Sequence, residues 1–188
     1  MSKNKLFDDA VVRLTFELAQ LREEARHGWK RIFENPESVA EHTQRAAVLG
    51  YLVAHRENFN DPNLIATMIL FHDMHEARTG DADVIQRKYV KLDERRAASD
   101  QVSGLGEAGQ AIINMWNEVE NANTDAGRIA KDAEILEMAF TARELVVRGN
   151  EDAQSWINGL KGRVCTNSGK ELLEIINRSD PGNWWKKL

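Results

Sequence analysis

The sequence predicts an all-α protein folded as a single domain, and three features of the chain carry that prediction. Apolar residues recur with a helical period of 3.6, and no stretch alternates β-branched or aromatic residues with polar ones. Only three prolines and twelve glycines interrupt the pattern. A chain of 188 residues suits one hydrophobic core, which at this size buries roughly 70% of the surface of the extended chain. We therefore expect one domain over residues 1–188.

Composition and charge exclude several classes of protein. With 42% hydrophobic and 29% charged residues, the chain is not a disordered tail or a low-complexity polymer. Its longest apolar run, at 46–54, is far shorter than the ~20 residues that cross a bilayer, and the N-terminal segment lacks the order of a signal peptide. The net charge of −5 disfavours a nucleic-acid surface, and the single cysteine, Cys165, indicates a reducing environment. We expect a cytoplasmic protein with no membrane or nucleic-acid partner.

Capping patterns delimit the helices of the first half of the chain. The opening helix carries apolar residues at helical spacing over 6–21. Ser38 and Glu41 stand three residues apart and predict a capping box at the start of a second helix. An aspartate followed by proline at 61–62 predicts the start of a third helix, which the glycine-containing turn at 79–81 ends.

The second half of the chain continues the helical period. The segment 84–101 is heavily charged and indicates an exposed helix or a long arm. The pattern GLGEAG at 104–109 matches a dinucleotide-binding loop, but no strand precedes it, so we interpret it as a turn between helices. Further helices are predicted at about 107–119, 124–148, 154–160 and 168–177, and the tail at 179–188 is not predicted to be helical.

The chain has few histidines, and some of them lie close to acidic residues. Of the five histidines, His72 ends an apolar helix beside Asp73, and His42 lies one helix earlier. Adjacent helix positions diverge by only ~100° about the axis, so this His-Asp pair can reach one cation, although such pairs also occur at solvated helix ends. Imidazole nitrogen and carboxylate oxygen suit one divalent Mn, Co, Ni, Fe or Zn ion better than Mg. His75 is then either a partner of the ligands or an exposed side chain.

Four segments in order along the chain form a recognisable set: RHGWKRIFENPESVAEH at 26–42, FHDMHEARTGD at 71–81, AKDAEILEM at 130–138 and DPGNWW near the end. Together they resemble the HD-domain phosphohydrolases, and within them the small branch of 5′-deoxynucleotidases with archaeal and bacterial relatives. The resemblance spans about residues 15–185 and implies an all-α HD-domain helical bundle. It also implies a metal-dependent phosphomonoesterase that removes the 5′-phosphate from nucleoside monophosphates, in particular the deoxy forms.

The resemblance implies a metal site built from both histidines of the cluster and two acids. Carried over by position, the ligands are His42, His72, Asp73 and an acid on the long helix. In the family that acid is the aspartate of a Lys-x-x-Asp motif, and Lys131 sets the register that places Glu134 there.

Glutamate at this position departs from the family pattern. Asp132 is the nearby alternative, but residues two apart point ~200° away from each other on a helix, so Asp132 and Glu134 do not both serve. The apolar neighbours do not settle the choice, and the motif register favours Glu134. Because glutamate is one methylene longer, a shifted site, a different metal preference and weaker binding all stay open. Two-metal HD enzymes need additional histidines between the HD pair and the last acid. No histidine follows His75 here, so the resemblance implies one metal and disfavours the di-iron oxygenase branch.

Metal chemistry and the resemblance together assign the remaining roles. A bound divalent ion lowers the pKa of its water from about 15.7 towards ~7 and polarises a phosphoryl oxygen. We expect Glu76 to position or deprotonate that water and Asp81 to assist the leaving oxygen, unless both acids only cap helices or support the ligands. Arg26 is expected to hold the substrate phosphate, and Trp29 to pack on the sugar or base. Gly28 replaces an arginine that some members carry.

Two other functions stay open at this point. A nucleotide triphosphohydrolase would release triphosphate through the same site and would need several basic residues around it. A catalytically weakened nucleotide-binding module would follow from Glu134, although intact Glu76 and Asp81 argue against it. The basic candidates are Arg45, Arg78, Arg87, Lys88 and Lys131.

The oligomeric state is predicted only from the resemblance to the family. The partner expected from the residues is a small-molecule nucleotide, and homodimers are common in the family. Trp184 and Trp185 either support such a dimer or close over the core.

Overall fold

The computed structural model describes residues 3–188 and shows helices joined by turns. That part of the chain contains no strand, only an isolated bridge between Ala25 and Ser38. The all-α prediction is confirmed; the single domain predicted for 1–188 includes Met1 and Ser2, which lie outside the described residues. The helices are α1 (Lys3–Leu18), α2 (Val39–Arg56), α3 (Pro62–His72), α4 (Glu76–Thr79), α5 (Glu94–Gln101), α6 (Gly106–Asn121), α7 (Asp125–Val147), α8 (Ala153–Leu160), α9 (Asn167–Arg178) and α10 (Asn183–Lys186), with 3-10 turns at Ala19–Arg22, His27–Arg31 and Gln86–Lys88.

Helices α2 and α3 begin where their capping residues predict. The backbone N–H of Glu41 donates to Ser38 Oγ at 3.2 Å, and the Glu41 carboxylate accepts from the Ser38 N–H at 2.7 Å. At the start of α3, Asp61 Oδ1 accepts from the N–H of Leu64 at 3.1 Å, with Pro62 in the first helical position. Both caps thus fix helices that carry the predicted histidine ligands.

The sequence suggested two places for the end of α3, and the structure confirms the first. The helix ends at His72, as the position of His72 after the apolar run predicted. It does not reach the glycine-containing turn at 79–81, because the chain turns through 73–75 before the short α4 begins. This turn carries Asp73, so the HD pair lies at a helix end and not inside a helix.

Two further segments correct the sequence prediction. The charged stretch 84–101 is neither one helix nor a free arm: a 3-10 turn precedes α5, which buries Ala98 and Gln101. The tail contains the helical turn α10, because Asp180 accepts from the N–H of Gly182 at 2.7 Å and pairs with Lys186 at 2.7 Å.

Helix α7 is the central element of the fold. It contacts α2, α3, α6, α8 and α9, and most of its buried residues are small or aliphatic. Close approach of α2 to α3 depends on Gly50, where a Cβ atom would lie 2.2 Å from Ile69 Cδ1. A second apolar cluster packs α1, α5 and α6 against Met74. The helices that carry His42, His72 and Glu134 therefore pack against one another in the same core.

The surface leaves both terminal tryptophans exposed. Trp184 is 74% exposed and Trp185 54%, so they do not close over the core. Within residues 3–188, no helix is both long enough and apolar enough to span a bilayer.

Candidate functional site

Three buried side chains meet where α3 ends. His72 Nε2 lies 3.0 Å from Asp73 Oδ2, and His42 Nε2, on the adjacent α2, lies 3.7 Å from the same oxygen. One ligand atom from each residue lies within 4.8 Å of the other two. The structure thus brings together three of the four residues predicted to bind metal.

Each imidazole directs its Nε2 at this point, because Nδ1 is hydrogen-bonded elsewhere. His72 Nδ1 lies 2.6 Å from the carbonyl oxygen of Ile69, which only accepts, so the proton of a neutral ring is on Nδ1. His42 Nδ1 is hydrogen-bonded to Glu137. Burial opposes the charge of Glu137, but its hydrogen bond to His42 and the nearby Arg45 hold its pKa below the usual value. An ionised carboxylate also only accepts, so in the neutral form of each ring Nε2 carries the lone pair. Burial disfavours the charge of His72, but Asp73 outweighs it and raises the pKa of His72, so a cation would displace a proton from its Nε2.

The three convergent atoms fit a divalent cation. Ligands about 2.1 Å from one cation stand roughly 3 to 3.5 Å from each other, close to the separations around Asp73 Oδ2. Nε2 of His42, Nε2 of His72 and Oδ2 of Asp73 are buried and have no hydrogen-bond partner. Buried polar atoms left unpaired are costly, and one cation would satisfy all three. The pKa of Asp73 lies well below its usual value because His72 and Arg26 outweigh its burial, so the acid is in the ligating form.

The two acids considered as the fourth ligand face different parts of the molecule. Asp132 accepts hydrogen bonds of 2.7 Å from the backbone N–H groups of Cys165 and Thr166, just before α9. Glu134 lies in the pocket wall beside Asp73, and Lys131 Nζ lies 2.8 Å from its Oε2. Of the two acids, only Glu134 shares the pocket, although its oxygens are not in the group within 4.8 Å.

A pocket of about 650 Å³ opens onto Asp73, and two tryptophans form one of its walls. Trp29 and Trp156 stack with ring centroids 4.2 Å apart and planes inclined by 23°. A Cβ atom on Gly28 would lie 2.9 Å from the ring of Trp156. This close approach leaves little room for a side chain at position 28 while Trp156 keeps its place.

Arg26 lies inside the pocket among acids. Its Nη1 lies 3.6 Å from Asp73 Oδ2 and 3.8 Å from Asp81 Oδ1. Burial disfavours the guanidinium charge, but these two carboxylates outweigh it and raise the pKa of Arg26. The backbone N–H of Arg26 donates to the Glu37 carbonyl at 2.9 Å, which fixes the strand-like segment before α2.

The two predicted catalytic acids differ in their surroundings. Glu76 is 4% exposed at the start of α4, and its Oε2 has no hydrogen-bond partner. Burial, and then the charges of Asp73 and Asp81, raise the pKa of Glu76 to about 10. Asp81 instead accepts from the N–H of His27 at 2.6 Å, and its own N–H donates to Glu24 at 3.0 Å.

Some residues of the site were not singled out from the sequence. Glu137 lies within the quoted AKDAEILEM segment, and an acid between apolar neighbours is the signal that could have identified it, although its partner His42 could not be inferred. No spacing pattern pointed to Trp156. His75 is buried rather than exposed, and Trp116 Nε1 donates to its Nδ1 at 3.3 Å.

Comparison with known proteins places the chain in a family. A family model described as HD domain matches residues 18–176. The chain belongs to the HD-domain family. This confirms the resemblance seen in the sequence.

Curated relatives of this HD-domain protein include two with the same name. The 5′-deoxynucleotidase HDDC2 of Dictyostelium discoideum is 32% identical over 130 residues, covering 63% of this chain and 68% of that protein. The protein of that name from Bos taurus is 31% identical over 169 residues, covering 85% of this chain and 79% of its own.

Solved structures share the fold of this HD-domain protein. The structural-genomics protein APC5600 aligns with a TM-score of 0.77 and 32% identity, covering 94% of this chain and 99% of its own. A conserved hypothetical protein from Pyrococcus furiosus aligns with a TM-score of 0.70 and 25% identity, covering 89% and 99%. A predicted metal-dependent phosphohydrolase from Magnetospirillum magnetotacticum has a TM-score of 0.68 at 21% identity over 92% and 96%, a likeness of fold alone.

Proposed function

We propose that this protein is a metal-dependent phosphohydrolase that removes the 5′-phosphate from nucleoside monophosphates, in particular the deoxy forms. The observation that carries the proposal is the convergence of three buried, unpartnered ligand atoms from His42, His72 and Asp73 beside the pocket. The substrate class is supported by the curated relatives, which are named 5′-deoxynucleotidases.

His42, His72, Asp73 and Glu134 would hold one divalent ion. When bound, the ion supplies an acidified water and polarises a phosphoryl oxygen. Two imidazole nitrogens among the ligands favour Mn, Co, Ni, Fe or Zn over Mg.

The protein's own groups complete the proposed mechanism. Glu76 offers the unpartnered Oε2 as the acceptor of the water proton. Glu76 must be ionised to accept this proton. A cation bound to Asp73 would compensate the charge of Asp73 and so remove one cause of the raised pKa of Glu76. Arg26 stabilises charge on the phosphoryl oxygens. Water adds to phosphorus as the P–O bond to the 5′-oxygen breaks, and Asp81 relays a solvent proton to that oxygen, which leaves as the nucleoside hydroxyl. Trp29 packs on the sugar or base.

The charge of the pocket favours a monophosphate over a triphosphate. Seven carboxylates line it against five arginine or lysine side chains. Arg31 pairs with Asp83, and Arg87 pairs with Glu94 at 2.6 Å, so these bases are already matched by acids.

The other basic candidates named from the sequence add little charge to the pocket. Arg45 and Arg78 do not line it and pair with acids elsewhere, and Lys88 does not line it either. Only Arg163, among the lining bases described, makes no ion pair, which is too little positive charge for three phosphates.

A substrate panel tests the proposal. Purified protein is incubated with nucleoside mono- and triphosphates, ribo and deoxy, in the presence of Mn, Co, Ni, Fe, Zn or Mg, and released phosphate and triphosphate are measured. We expect inorganic phosphate from monophosphates, and we expect His72→Ala to lower kcat/KM at least about 100-fold. The matched control is His55→Ala, on the exposed face of α2, which should leave the rate unchanged.

Two other outcomes of the panel would contradict the proposal. Release of triphosphate from nucleoside triphosphates would assign the triphosphohydrolase activity. Tight nucleotide binding without turnover under every metal would assign a binding module.

We also propose a cytoplasmic location and a homodimer. The first is supported by the single cysteine. The second is supported by exposed apolar side chains, among them Phe16 at 76% and Trp184 at 74%. Cell fractionation tests the location, and light scattering of the purified protein tests the dimer.

A further inference from the structure

We propose that Glu137 is a positioning residue: braced by Arg45, it holds the His42 imidazole in the orientation that turns Nε2 towards the cation site. The inference rests on the metal site of the proposed function and adds a residue outside the ligand set. The hydrogen bonds described for Glu137 join it to His42, Arg45 and Thr141, so His42 is the one proposed ligand among these partners.

The contact between Glu137 and His42 is fully buried. Both side chains are 0% exposed, and Glu137 Oε2 is hydrogen-bonded to His42 Nδ1. Since the carboxylate only accepts, the bond requires a proton on Nδ1 and leaves Nε2 unprotonated. Without this partner, a ring flip or the other tautomer would present a protonated nitrogen to the cation.

The second oxygen of Glu137 is held from the surface side. Arg45 Nε donates to Glu137 Oε1 at 2.7 Å, and its Nη2 donates to the same oxygen. Arg45 lies three residues after His42, so both are on one face of α2, opposite Glu137 on α7. Each carboxylate oxygen therefore has one fixed partner, and the planar guanidinium fork restricts the rotation of the acid.

Outer contacts fix the arginine in turn. Arg45 Nη1 donates to Glu144 Oε1 at 2.9 Å, and Nη2 lies 3.2 Å from Glu37 Oε2 and bonds Thr141. The chain of contacts thus runs from the solvent-facing side of α7 to the buried ligand.

A second cation site in the same place is excluded by charge. Glu37, His42 and Glu137 also offer ligand atoms within 4.8 Å of one another. The guanidinium of Arg45 already lies against both carboxylates, and its positive charge repels a metal ion there. These acids serve the histidine and the arginine instead.

The substitution Glu137→Gln tests the inference by metal binding. Titration calorimetry of Co²⁺ alone into the metal-free full chain measures Kd, because loss of the carboxylate partner of a ligating histidine weakens metal binding about 10- to 100-fold. We expect that loss in Glu137→Gln at a temperature at which circular dichroism shows the metal-free variant to be folded. The matched control, Glu144→Gln, removes an outer contact of Arg45 and should change Kd less than about 3-fold.

A double substitution separates positioning from a general structural role. If Glu137 acts through His42, adding Glu137→Gln to His42→Ala should change Kd for Co²⁺ less than about 3-fold. A further 10-fold loss in that background would overturn the inference, as would an unchanged Kd in the single variant. If Glu137→Gln does not fold, Arg45→Met leaves the His42 contact in place and should still weaken Co²⁺ binding at least about 3-fold; an unchanged Kd there overturns it.

The two proposals fail in different ways. Wild-type protein that binds Co²⁺ but hydrolyses no nucleotide contradicts the proposed function and leaves the positioning role testable. Wild-type protein that hydrolyses nucleotides while Glu137→Gln binds Co²⁺ normally contradicts only the positioning role. Absence of any Co²⁺ binding contradicts both.

Discussion

Buried polar atoms without partners locate the site among the described residues. Such atoms on His42, His72, Asp73 and Glu76 lie around one end of α3, beside the pocket. Burial of an unpaired donor or acceptor costs roughly 1 to 3 kcal/mol, so a native fold keeps several together where a ligand satisfies them. For a single residue, the direction of its side chain decides whether it can bind the cation.

Asp132 and Glu134 give the sharpest test of side-chain direction. Asp132→Asn should lower the free energy of unfolding by about 1.5 to 3 kcal/mol, because the charged acceptor of two backbone N–H groups is lost, and should leave Co²⁺ affinity unchanged. Glu134→Gln should weaken Co²⁺ binding at least about 10-fold. Denaturant unfolding and calorimetry on both variants measure the two effects, and the reverse pattern would make Asp132 the ligand.

Glu37 should make stability depend on pH. Burial, and then the charge of Glu137, raise the pKa of Glu37 from 4.5 to about 7. The folded state therefore binds the extra proton between these values, so the stabilising contribution of Glu37 is complete below pH 4.5 and is lost as pH rises through 7. Glu37→Gln should match wild type at pH 4.5 and exceed its unfolding free energy by on the order of 1 to 3 kcal/mol at pH 8. Identical pH profiles of urea unfolding would contradict this.

At the level of elements, the site depends on how α2 and α3 start and how closely they pack. The capping box of α2 lies one turn before His42, and Gly50 admits Ile69 of α3 against the α2 backbone. The two helices therefore reach the site in a fixed relation, with one histidine from each.

The capping box makes a separate contribution to stability. Ser38→Ala should lower the free energy of unfolding by about 1 kcal/mol, because the N–H of Glu41 loses its acceptor. Urea unfolding checks the value. Ser103→Ala, at an exposed position outside the helices, is the control and should change it by less than about 0.5 kcal/mol. Equal effects of the two substitutions would mean that the box adds nothing.

For the whole molecule, the proposed cation joins helices that come from distant parts of the chain. A ligand that binds only the folded state stabilises it by about 2.7 kcal/mol at 100 times its Kd. For a chain of this size we expect Co²⁺ to raise the unfolding temperature by roughly 5 to 10 °C. Differential scanning fluorimetry should show that rise, its reversal by a chelator and its absence in His72→Ala. A rise retained in His72→Ala would place the ion elsewhere.

The helical period and the ordered motifs were enough to predict much of this protein. Apolar spacing gave the all-α class, and the residue types at 38 and 41 predicted a cap that the structure confirms. The segments around His42, His72 and Glu134 identified the family that the comparison confirms. These features are local: each follows from residues within one or two helical turns.

Only the tertiary structure decided what distant residues do to one another. The helical period of α7 did not decide whether Asp132 or Glu134 is the fourth metal ligand, because the surroundings of Asp132 depend on the backbone before α9. The stack of Trp156 on Trp29 and the contact of Glu137 with His42 join residues about a hundred positions apart, for which no local pattern exists. Sequence alone determined the all-α class, the capped starts of α2 and α3 and the chemical types at the site, since these are short-range properties. Packing decided orientation, burial and charge, since these arise only when separate helices meet.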